Sequence, residues 1–313
     1  MKLNDYIEQA RIHLKEYLPE EFQTAEIIIQ RQQKNNNKMP YGLTLKIPGM
    51  NICPVVYLDN YYESYLNGMA MEDTFRLIGR HYLSAMNSVK LQQDSDLSYN
   101  HVKDKLFLFV VNAEKNQKIL ATVPYQELED LAILYRCIIS SRDNEIGSII
   151  VSNKLLDHFG ISKEALHEQA LRNMNRLFTP EIQSMEYIMA QIMDLPYTEE
   201  EMTQNKNGLF VLSNTQRIYG ACYLCCPDVL KLIGEKMDGN YLILPSSIHE
   251  IIVLKETADM DVSELRAIVE FVNQTELNPT EYLSDNIYRY DYKNQSLSIM
   301  EGNDMQQGMN PLQ

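Results

Sequence analysis

The chain has 313 residues, of which 45% are hydrophobic and 23% are charged, and its formal net charge is -15. This length and composition predict a globular protein with a substantial core and two lobes. The negative charge argues against a nonspecific binder of duplex DNA, whose affinity depends on Lys and Arg side chains that neutralise phosphates.

The N-terminal region shows alternating helical and strand patterns. Apolar residues at helical spacing predict a helix from residue 4 to 17, before Pro19. A β-branched run at 25–32 and an alternating run at 41–47 predict a β-hairpin, because a polar segment separates them. A further helix after residue 55 places Tyr57, Tyr61 and Tyr65 four residues apart.

Apolar runs in the middle of the chain predict buried strands. Residues 106–111 are continuously apolar, residues 119–123 are their expected partner, and residues 131–139 predict another strand. The polar break SSRDNE that follows is the expected lobe boundary. We therefore predict an N-terminal lobe at 1–142, a C-terminal lobe at 143–300 and a disordered tail at 301–313.

The C-terminal lobe has clear helix signals. Gly160 and Ser162 predict the end of one helix and the N-cap of the next, and Pro180 predicts the start of a helix over 181–193. Asp261 predicts the N-cap of a later amphipathic helix.

Short connections predict hairpins in the same lobe. Strand pairs are expected at 208–212 with 218–224 and at 288–292 with 296–300. Because the connections are too short for parallel crossovers, the sheets should be antiparallel. The predicted fold class is α+β, with two lobes that each pack helices on a mainly antiparallel sheet.

The segment LPSSIHE contains the residue types of a hydrolytic site, namely Ser246, Ser247, His249 and Glu250. On a strand, however, Ser247 and His249 would lie about 6.5 to 7 Å apart, which is too far for a hydrogen bond. At a helix start, Ser247 and Glu250 would form a capping box. We therefore favour a structural turn, and catalysis remains the alternative.

Two other groups are candidate sites. Cys222 and Cys225 form a C-x-x-C pattern typical of zinc or redox sites, but on a strand they would face opposite sides, and no second ligand pair follows. Tyr57, Tyr61 and Tyr65 could form a partner-binding stripe or pack on the first hairpin. The glycines form no nucleotide-binding motif, so we expect no nucleotide cofactor. The histidines show no metal-ligand spacing and no second cysteine pair completes a zinc site, so we expect no metal.

Several runs, in this order, resemble the uncharacterised bacterial family catalogued as domain of unknown function 5688, found in gut clostridia. They are Ile161–Leu166 with Ala170 and Asn173 downstream, Gln216–Ala221, Ile243–Glu250 and Leu283–Tyr290. The resemblance implies a cytoplasmic protein of anaerobic Firmicutes, often carried with mobile-element cargo, and it brings no known activity.

Two functions therefore remain open. The favoured one is a cytoplasmic, non-enzymatic accessory protein that binds another protein, since the sequence shows no complete catalytic constellation, no apolar run of the roughly 18 residues that span a membrane, and no signal peptide. The alternative is a hydrolase of unfamiliar design that uses Ser246 or Ser247 with His249 and Glu250. We expect neither a membrane nor nucleic acid as the partner.

Overall fold

A computed structural model describes residues 1–48, 50, 53–90, 97–142, 145–196 and 208–300. They form two compact units, one from residues 1–102 with 137–149 and the other from residues 103–136 with the chain from 150 onward. The boundary predicted after residue 142 falls between two strands that pair with each other, and it stays a prediction. The predicted tail at 301–313 lies outside the described residues.

The first unit packs helices against a small antiparallel sheet. Its helices are α1 (Leu3–His13), α2 (Leu58–Leu66), α3 (Met71–Lys90) and the short α4 (Tyr99–Val102). Its sheet contains, in spatial order, β1 (Glu26–Arg31), β2 (Tyr41–Lys46) and β3 (Val56–Tyr57). The predicted hairpin is confirmed, with Glu26 opposite Lys46. Helix α1 continues as a 3-10 turn to Tyr17, close to the predicted end.

Tyr6 lies at the centre of the core of the first unit. Its ring is fully buried and its centroid lies 5.5 Å from that of Phe75. Its hydroxyl donates to Thr74 Oγ1 at 2.7 Å. The hydroxyl of buried Tyr82 accepts a hydrogen bond from the Leu45 N–H at 3.0 Å. These bonds satisfy polar groups that burial would otherwise leave unpaired.

A four-stranded sheet surrounds the long strand β6. Its strands are β4 (Leu106–Asn112), β5 (Gln126–Leu128), β6 (Leu131–Arg142) and β7 (Glu145–Ile150). Strand β6 lies between β4 and β5 and also pairs with β7. Every residue of β4 is buried, as expected for a continuously apolar strand.

A six-stranded antiparallel sheet lies in the second unit. From one edge to the other its strands are β13 (Ser296–Ile299), β12 (Tyr288–Asp291), β10 (Tyr241–Leu244), β11 (Ile251–Lys255), β9 (Phe210–Asn214) and β8 (Pro180–Ser184). The helices of this unit are α5 (Gln117–Leu120), α6 (Asn153–Phe159), α7 (Lys163–Leu177), α8 (Met185–Ile192), α9 (Pro227–Met237) and α10 (Val262–Thr275). A 3-10 helix spans Gly220–Cys225.

The predicted α+β class is confirmed, and so are several predicted helix ends. Ser162 caps α7 by accepting a hydrogen bond from the Ala165 N–H at 3.2 Å. Asp261 caps α10 by accepting from the Glu264 N–H at 3.2 Å. Gly160 has the left-handed φ of 65° expected of a helix C-terminus.

The predicted strand at 119–123 is wrong. Residues from Gln117 to Leu120 form α5, and the hydrogen-bonded neighbour of β4 is β6. Two asparagines explain the difference: the Asn112 side chain accepts from the Lys115 N–H at 2.9 Å, and the buried Asn116 side chain donates to the Asn112 carbonyl at 2.8 Å. These bonds curl the chain directly after β4, so it cannot return as a hairpin.

The predicted helix over 181–193 is correct only in its second part. Residues from Pro180 to Ser184 form β8 and pair with β9, with Ile182 opposite Leu212. The helix begins later because Ser184 is its N-cap and accepts from the Tyr187 N–H at 3.1 Å.

The predicted strand at 218–224 is also wrong. The Asn214 carboxamide accepts from the Gln216 N–H at 3.0 Å and donates to the Ile218 carbonyl at 2.6 Å. The backbone then turns through left-handed φ angles of 56° at Arg217 and 54° at Tyr219. The 3-10 helix follows, so the chain is not extended after this turn.

Among the residues that the structure describes, seven tyrosines are fully buried. They are Tyr6, Tyr82, Tyr135, Tyr223, Tyr241, Tyr288 and Tyr290. Burial raises the pKa of Tyr6 to about 12, and it raises the pKa of Tyr223 and Tyr241 as well. The folded protein therefore holds these phenols in the neutral form.

These pKa shifts predict a loss of stability at alkaline pH. An unfolded tyrosine has a pKa of about 10, so above pH 10 it ionises in the unfolded state while the buried phenol stays neutral. The stability that these tyrosines contribute is therefore complete below pH 10 and is lost as the pH rises further. Each buried tyrosine should lower the free energy of unfolding by about 1.4 kcal/mol per pH unit there. Denaturant unfolding between pH 9 and 11 measures the slope, and Tyr6→Phe should make it shallower. A wild-type slope near zero would contradict this prediction.

Candidate functional site

The turn at 245–250, which joins β10 to β11, is held by its own hydrogen bonds. The Ser247 N–H donates to the Glu250 carbonyl at 3.1 Å, and the Ser247 hydroxyl accepts from the His249 N–H at 3.0 Å. Ser247 is only 7% exposed. Its hydroxyl therefore shapes the turn, as serine side chains commonly do. Ser246 and Glu250 are half-buried on the same turn.

The ring of His249 accepts a hydrogen bond at Nδ1 and has a carboxylate near Nε2. The Tyr219 N–H donates to Nδ1 at 3.2 Å, and Nε2 lies 4.0 Å from the Glu281 carboxylate. A neutral ring that accepts at Nδ1 carries its proton on Nε2, so neither nitrogen has a free lone pair. A general base needs such a lone pair within reach of the nucleophile's proton. The geometry therefore gives no support to a serine–histidine pair.

The sequence does not indicate that the Glu281 carboxylate lies near His249. It lies far along the chain from His249 and belongs to no motif with it. The loop that contains Glu281 reaches the turn through the backbone, because the Ile248 N–H donates to the Glu281 carbonyl at 2.9 Å. This contact positions the loop beside the turn.

The carbonyl of His249 fixes the neighbouring chain. It accepts from the Ser213 hydroxyl at 2.7 Å and from the Gly220 N–H at 2.9 Å. A Cβ atom at position 220 would lie 2.4 Å from the same carbonyl oxygen, which is too close for any side chain. Glycine is therefore required here, and the 216–221 and 243–250 runs are joined through this contact.

Cys222 and Cys225 lie on the 3-10 helix and not on the predicted strand. Residues three apart in a 3-10 helix project from the same side, so the argument from strand alternation is wrong. Burial raises the pKa of both thiols well above the usual value, which disfavours the thiolate that metals and disulfide exchange require. The described residues contain no group of three His, Cys, Asp or Glu that could hold a metal.

Tyr57, Tyr61 and Tyr65 are half-buried at the start and along α2. The Lys34 ammonium lies 3.6 Å from the centroid of the Tyr57 ring. The Tyr61 hydroxyl lies 2.5 Å from Nδ1 of His81, and Tyr61 and Tyr65 pack against the core of the first unit. Packing on the unit's own core therefore accounts for much of their surface. Their role in partner binding stays a prediction.

An apolar groove lies beside α8. It has a volume of about 420 Å³. Its lining, which we call the α8 groove, consists of Met185, Glu186, Met189, Ala190, Met193, Leu195, Pro196 and Leu209. Several apolar side chains around it are open to solvent, with exposed fractions of 57% for Met193, 56% for Leu195 and 74% for the adjacent Ile192. This concentration of exposed apolar side chains is typical of a binding surface.

The residues of the α8 groove are not predicted from the sequence, although their pattern is visible there. Met185, Met189 and Ile192 follow one another at helical spacing. The same spacing is expected of a helix face that packs into the core, and nothing local distinguishes the two cases. Only the tertiary structure shows that this face is open, with Met189 42% exposed and Ile192 74% exposed.

A carboxylate network holds the Leu283–Tyr290 run. Asp130 accepts from the Ser284 hydroxyl at 2.6 Å, from the Asn286 side-chain amide at 3.1 Å and from the Tyr288 hydroxyl. Ser284 and Tyr288 are fully buried. Burial and the nearby charge of Asp130 raise the pKa of Tyr288, so its hydroxyl remains a donor. The Leu283–Tyr290 run therefore has a structural role.

A family of unknown function, DUF5688, has a model that matches residues 3–292. The chain belongs to this family. The match contains all four of the runs that suggested the resemblance, so that prediction is confirmed. No curated protein and no solved structure matches the chain. In the described part of the chain, no helix combines the length and apolar composition needed to cross a lipid bilayer.

The Asp130 network predicts a large effect of Asp130→Ala on stability. The change leaves two buried hydroxyls and one amide without their acceptor, and we expect a loss of about 3 kcal/mol or more in the free energy of unfolding. Denaturant unfolding measures it. The control is Glu127→Ala at the exposed middle position of β5, which should change stability by less than about 0.5 kcal/mol. Equal effects of the two substitutions would show that the network contributes little.

The geometry of His249 predicts that a fluorophosphonate probe finds no activated serine. Wild-type protein, Ser246→Ala and Ser247→Ala should give the same background labelling, because the Ser247 hydroxyl is engaged in the turn and the His249 ring already accepts a hydrogen bond at Nδ1. Gel fluorescence of the labelled proteins measures this. Labelling of the wild type that disappears in one of the two variants would restore the hydrolase alternative.

Proposed function

We propose that this chain is a non-enzymatic accessory protein that binds another protein through the α8 groove. The observation that carries this proposal is the exposure of Met193 and Leu195 in the groove lining and of Ile192, which precedes Met193 in the chain. Burying apolar surface of this kind gains roughly 25 cal/mol per Å², so a partner that covers it is favoured. In keeping with the family resemblance, we place the protein in the cytoplasm of an anaerobic Firmicute.

The lining of the groove suits a protein partner. Met185, Met189 and Met193 all contribute to it. Methionine side chains are flexible and polarizable, so they adapt to the shape of an incoming apolar surface. Polar groups that could orient a small substrate are few, since Glu186 is the single charged residue among the lining residues. This composition favours binding of a protein partner over catalysis on a small substrate.

Helix α10 also exposes apolar side chains, with exposed fractions of 51% for Ile268 and 64% for Phe271. These residues lie on one face of a single helix, which is a convex surface. The α8 groove combines residues of α8, the chain that follows it and Leu209 before β9, and it encloses a concave space. Concave apolar sites give more contact per residue, so we assign binding to the α8 groove.

Substitution of Ile192 tests the proposal. Ile192→Glu places a charge where a partner's apolar surface should pack, and it should reduce recovery of the partner by about tenfold or more. Because Ile192 is 74% exposed, the variant should stay folded. The measurement is affinity capture of the tagged chain from its native host, with quantification of the proteins that co-purify.

The matched control is Leu232→Glu on α9, where the side chain is 60% exposed and lies on a different helix from α8. It should recover the same partner as the wild type. Identical partners for wild type and Ile192→Glu would contradict the proposal. Loss of the partner in Phe271→Glu, with retention in Ile192→Glu, would move the binding surface to α10.

A further inference from the structure

We propose that two copies of this chain pair through the open edge of β1, in antiparallel orientation and about a two-fold axis at Ile29. This inference goes beyond the proposed function, because it concerns the sheet of the first unit and not the α8 groove. It follows from the direction of the backbone groups of β1, from the composition of that strand and from the charges at its two ends.

Strand β1 lies at one edge of the three-stranded sheet, where β2 is its hydrogen-bonded neighbour. The register that places Glu26 opposite Lys46 continues past the strand, where the Gln32 N–H donates to the Pro40 carbonyl at 2.9 Å. In an antiparallel ladder, residues that exchange hydrogen bonds alternate with residues that do not. The even-numbered residues of β1 therefore bond β2, and the N–H and C=O groups of the odd-numbered residues point away from it.

Strand β2 shows the same alternation. The Tyr41 N–H donates to the Asp59 carboxylate at 2.7 Å, away from β1. Tyr41 is opposite Arg31, so this pair exchanges no hydrogen bonds. The open edge therefore consists of the backbone groups of Ile27, Ile29 and Arg31. Within the part of the chain that the structure describes, no residue bonds these groups. Such a row of backbone groups is a template for another strand.

The composition of β1 favours pairing with another strand. Its sequence is EIIIQR, with three consecutive half-buried isoleucines, no proline and no charge between its first and last residues. Edge strands usually avoid pairing through proline, charged side chains or short length. At the edges of the six-stranded sheet, β8 contains Pro180 and Glu181, and β13 has 4 residues. Strand β1 has 6 residues and lacks these protections along its isoleucines.

The charges at the two ends of β1 have opposite signs. Residues 20–26 contain three acidic residues and no basic one, and residues 31–38 contain three basic residues and no acidic one. They are Glu20, Glu21, Glu26, Arg31, Lys34 and Lys38. Antiparallel pairing of two copies brings the acidic end of one to the basic end of the other, whereas parallel pairing brings like charges together. This charge complementarity identifies a second copy as the occupant of the edge.

Contacts within the chain do not cancel these charges. The Arg31 guanidinium lies 3.9 Å from the centroid of the Tyr41 ring, and a ring orients a cation without neutralising it. The Lys46 ammonium lies 3.9 Å from the Glu26 carboxylate, but both side chains are mostly exposed, so this pair is weak. The net charge of -15 opposes association at long range. Salt at physiological strength screens that repulsion beyond about 8 Å.

Only one antiparallel register pairs all three outward-facing residues of β1 with one another. Ile29 then lies opposite Ile29 of the second copy, Ile27 lies opposite Arg31, and each pair exchanges two hydrogen bonds. The two sheets join into one. Ile27 and Ile29 pack against the core of the first unit, so their side chains extend its apolar layer across the axis.

Sedimentation velocity of the full chain at about 1 to 200 μM tests for the dimer, and we expect a monomer–dimer equilibrium in this range. Arg31→Pro removes an outward N–H and places a ring at the open edge, so association should weaken by about tenfold or more. The matched control is Arg31→Ala, which removes the same side chain and keeps the N–H, and it should weaken association by less than about threefold. Circular dichroism checks that both variants fold.

Cysteine crosslinking tests the register and decides the matter if Arg31→Pro does not fold. In the proposed register the Cα atoms at position 29 of the two copies lie about 5.5 Å apart, which a disulfide can bridge. Those at position 30 lie about 8 Å apart, which is too far. With copper phenanthroline as the oxidant, Ile29→Cys should give a covalent dimer, whereas Gln30→Cys and the wild type should not.

Other results contradict the inference. A chain that is monomeric throughout the range and gives no covalent dimer overturns it. Equal association of the wild type and Arg31→Pro places the dimer contact elsewhere, and crosslinking at position 30 but not at 29 overturns the register. If the chain is monomeric and Arg31→Pro loses a host protein that Arg31→Ala captures, the edge binds a different protein. Ile192→Glu should leave the dimer unchanged, so the proposed function is tested separately.

Discussion

The second unit depends on the hydrogen bonds that are accepted by the Asp130 carboxylate. It accepts hydrogen bonds from Ser284, Asn286 and Tyr288, which lie directly before and at the start of β12. Strand β12 in turn pairs with β10, so this carboxylate fixes how the last part of the chain joins the six-stranded sheet. Buried hydroxyls need an acceptor, and a charged one forms the stronger bonds. The position of β12 thus follows from one side chain that is distant in sequence.

The turn at 245–250 has a comparable structural role at the other side of β10. Its polar atoms hold neighbouring segments: Ser247 shapes the turn, and the His249 carbonyl binds Ser213 and Gly220. The ring of His249 stacks on Tyr219, with 5.9 Å between the ring centroids. A group of residue types typical of a hydrolase is therefore explained by the packing of a hairpin end. The surface at which we propose that a partner binds lies elsewhere, at α8.

The errors of the sequence analysis have a common cause. Residues 119–123 and 218–224 have strand-like composition, yet the Asn112, Asn116 and Asn214 side chains turn the chain at their starts. Likewise, Ser184 moves the start of α8 beyond the position that Pro180 suggests. Side-chain hydrogen bonds to the backbone compete with strand and helix propensity. Periodicity alone cannot show whether the side-chain hydrogen bond or the propensity determines the local structure, because the result depends on packing around the turn.

The sequence by itself determined the α+β class, the first and last hairpins, the caps at Ser162 and Asp261, and the family. These features depend on local spacing or on runs of contiguous residues. Only the tertiary structure decided that Glu281 faces His249, that Asp130 binds the residues before β12, and that one face of α8 is open to solvent. Those features join residues far apart in the chain or depend on what covers a helix, and neither is encoded in local pattern.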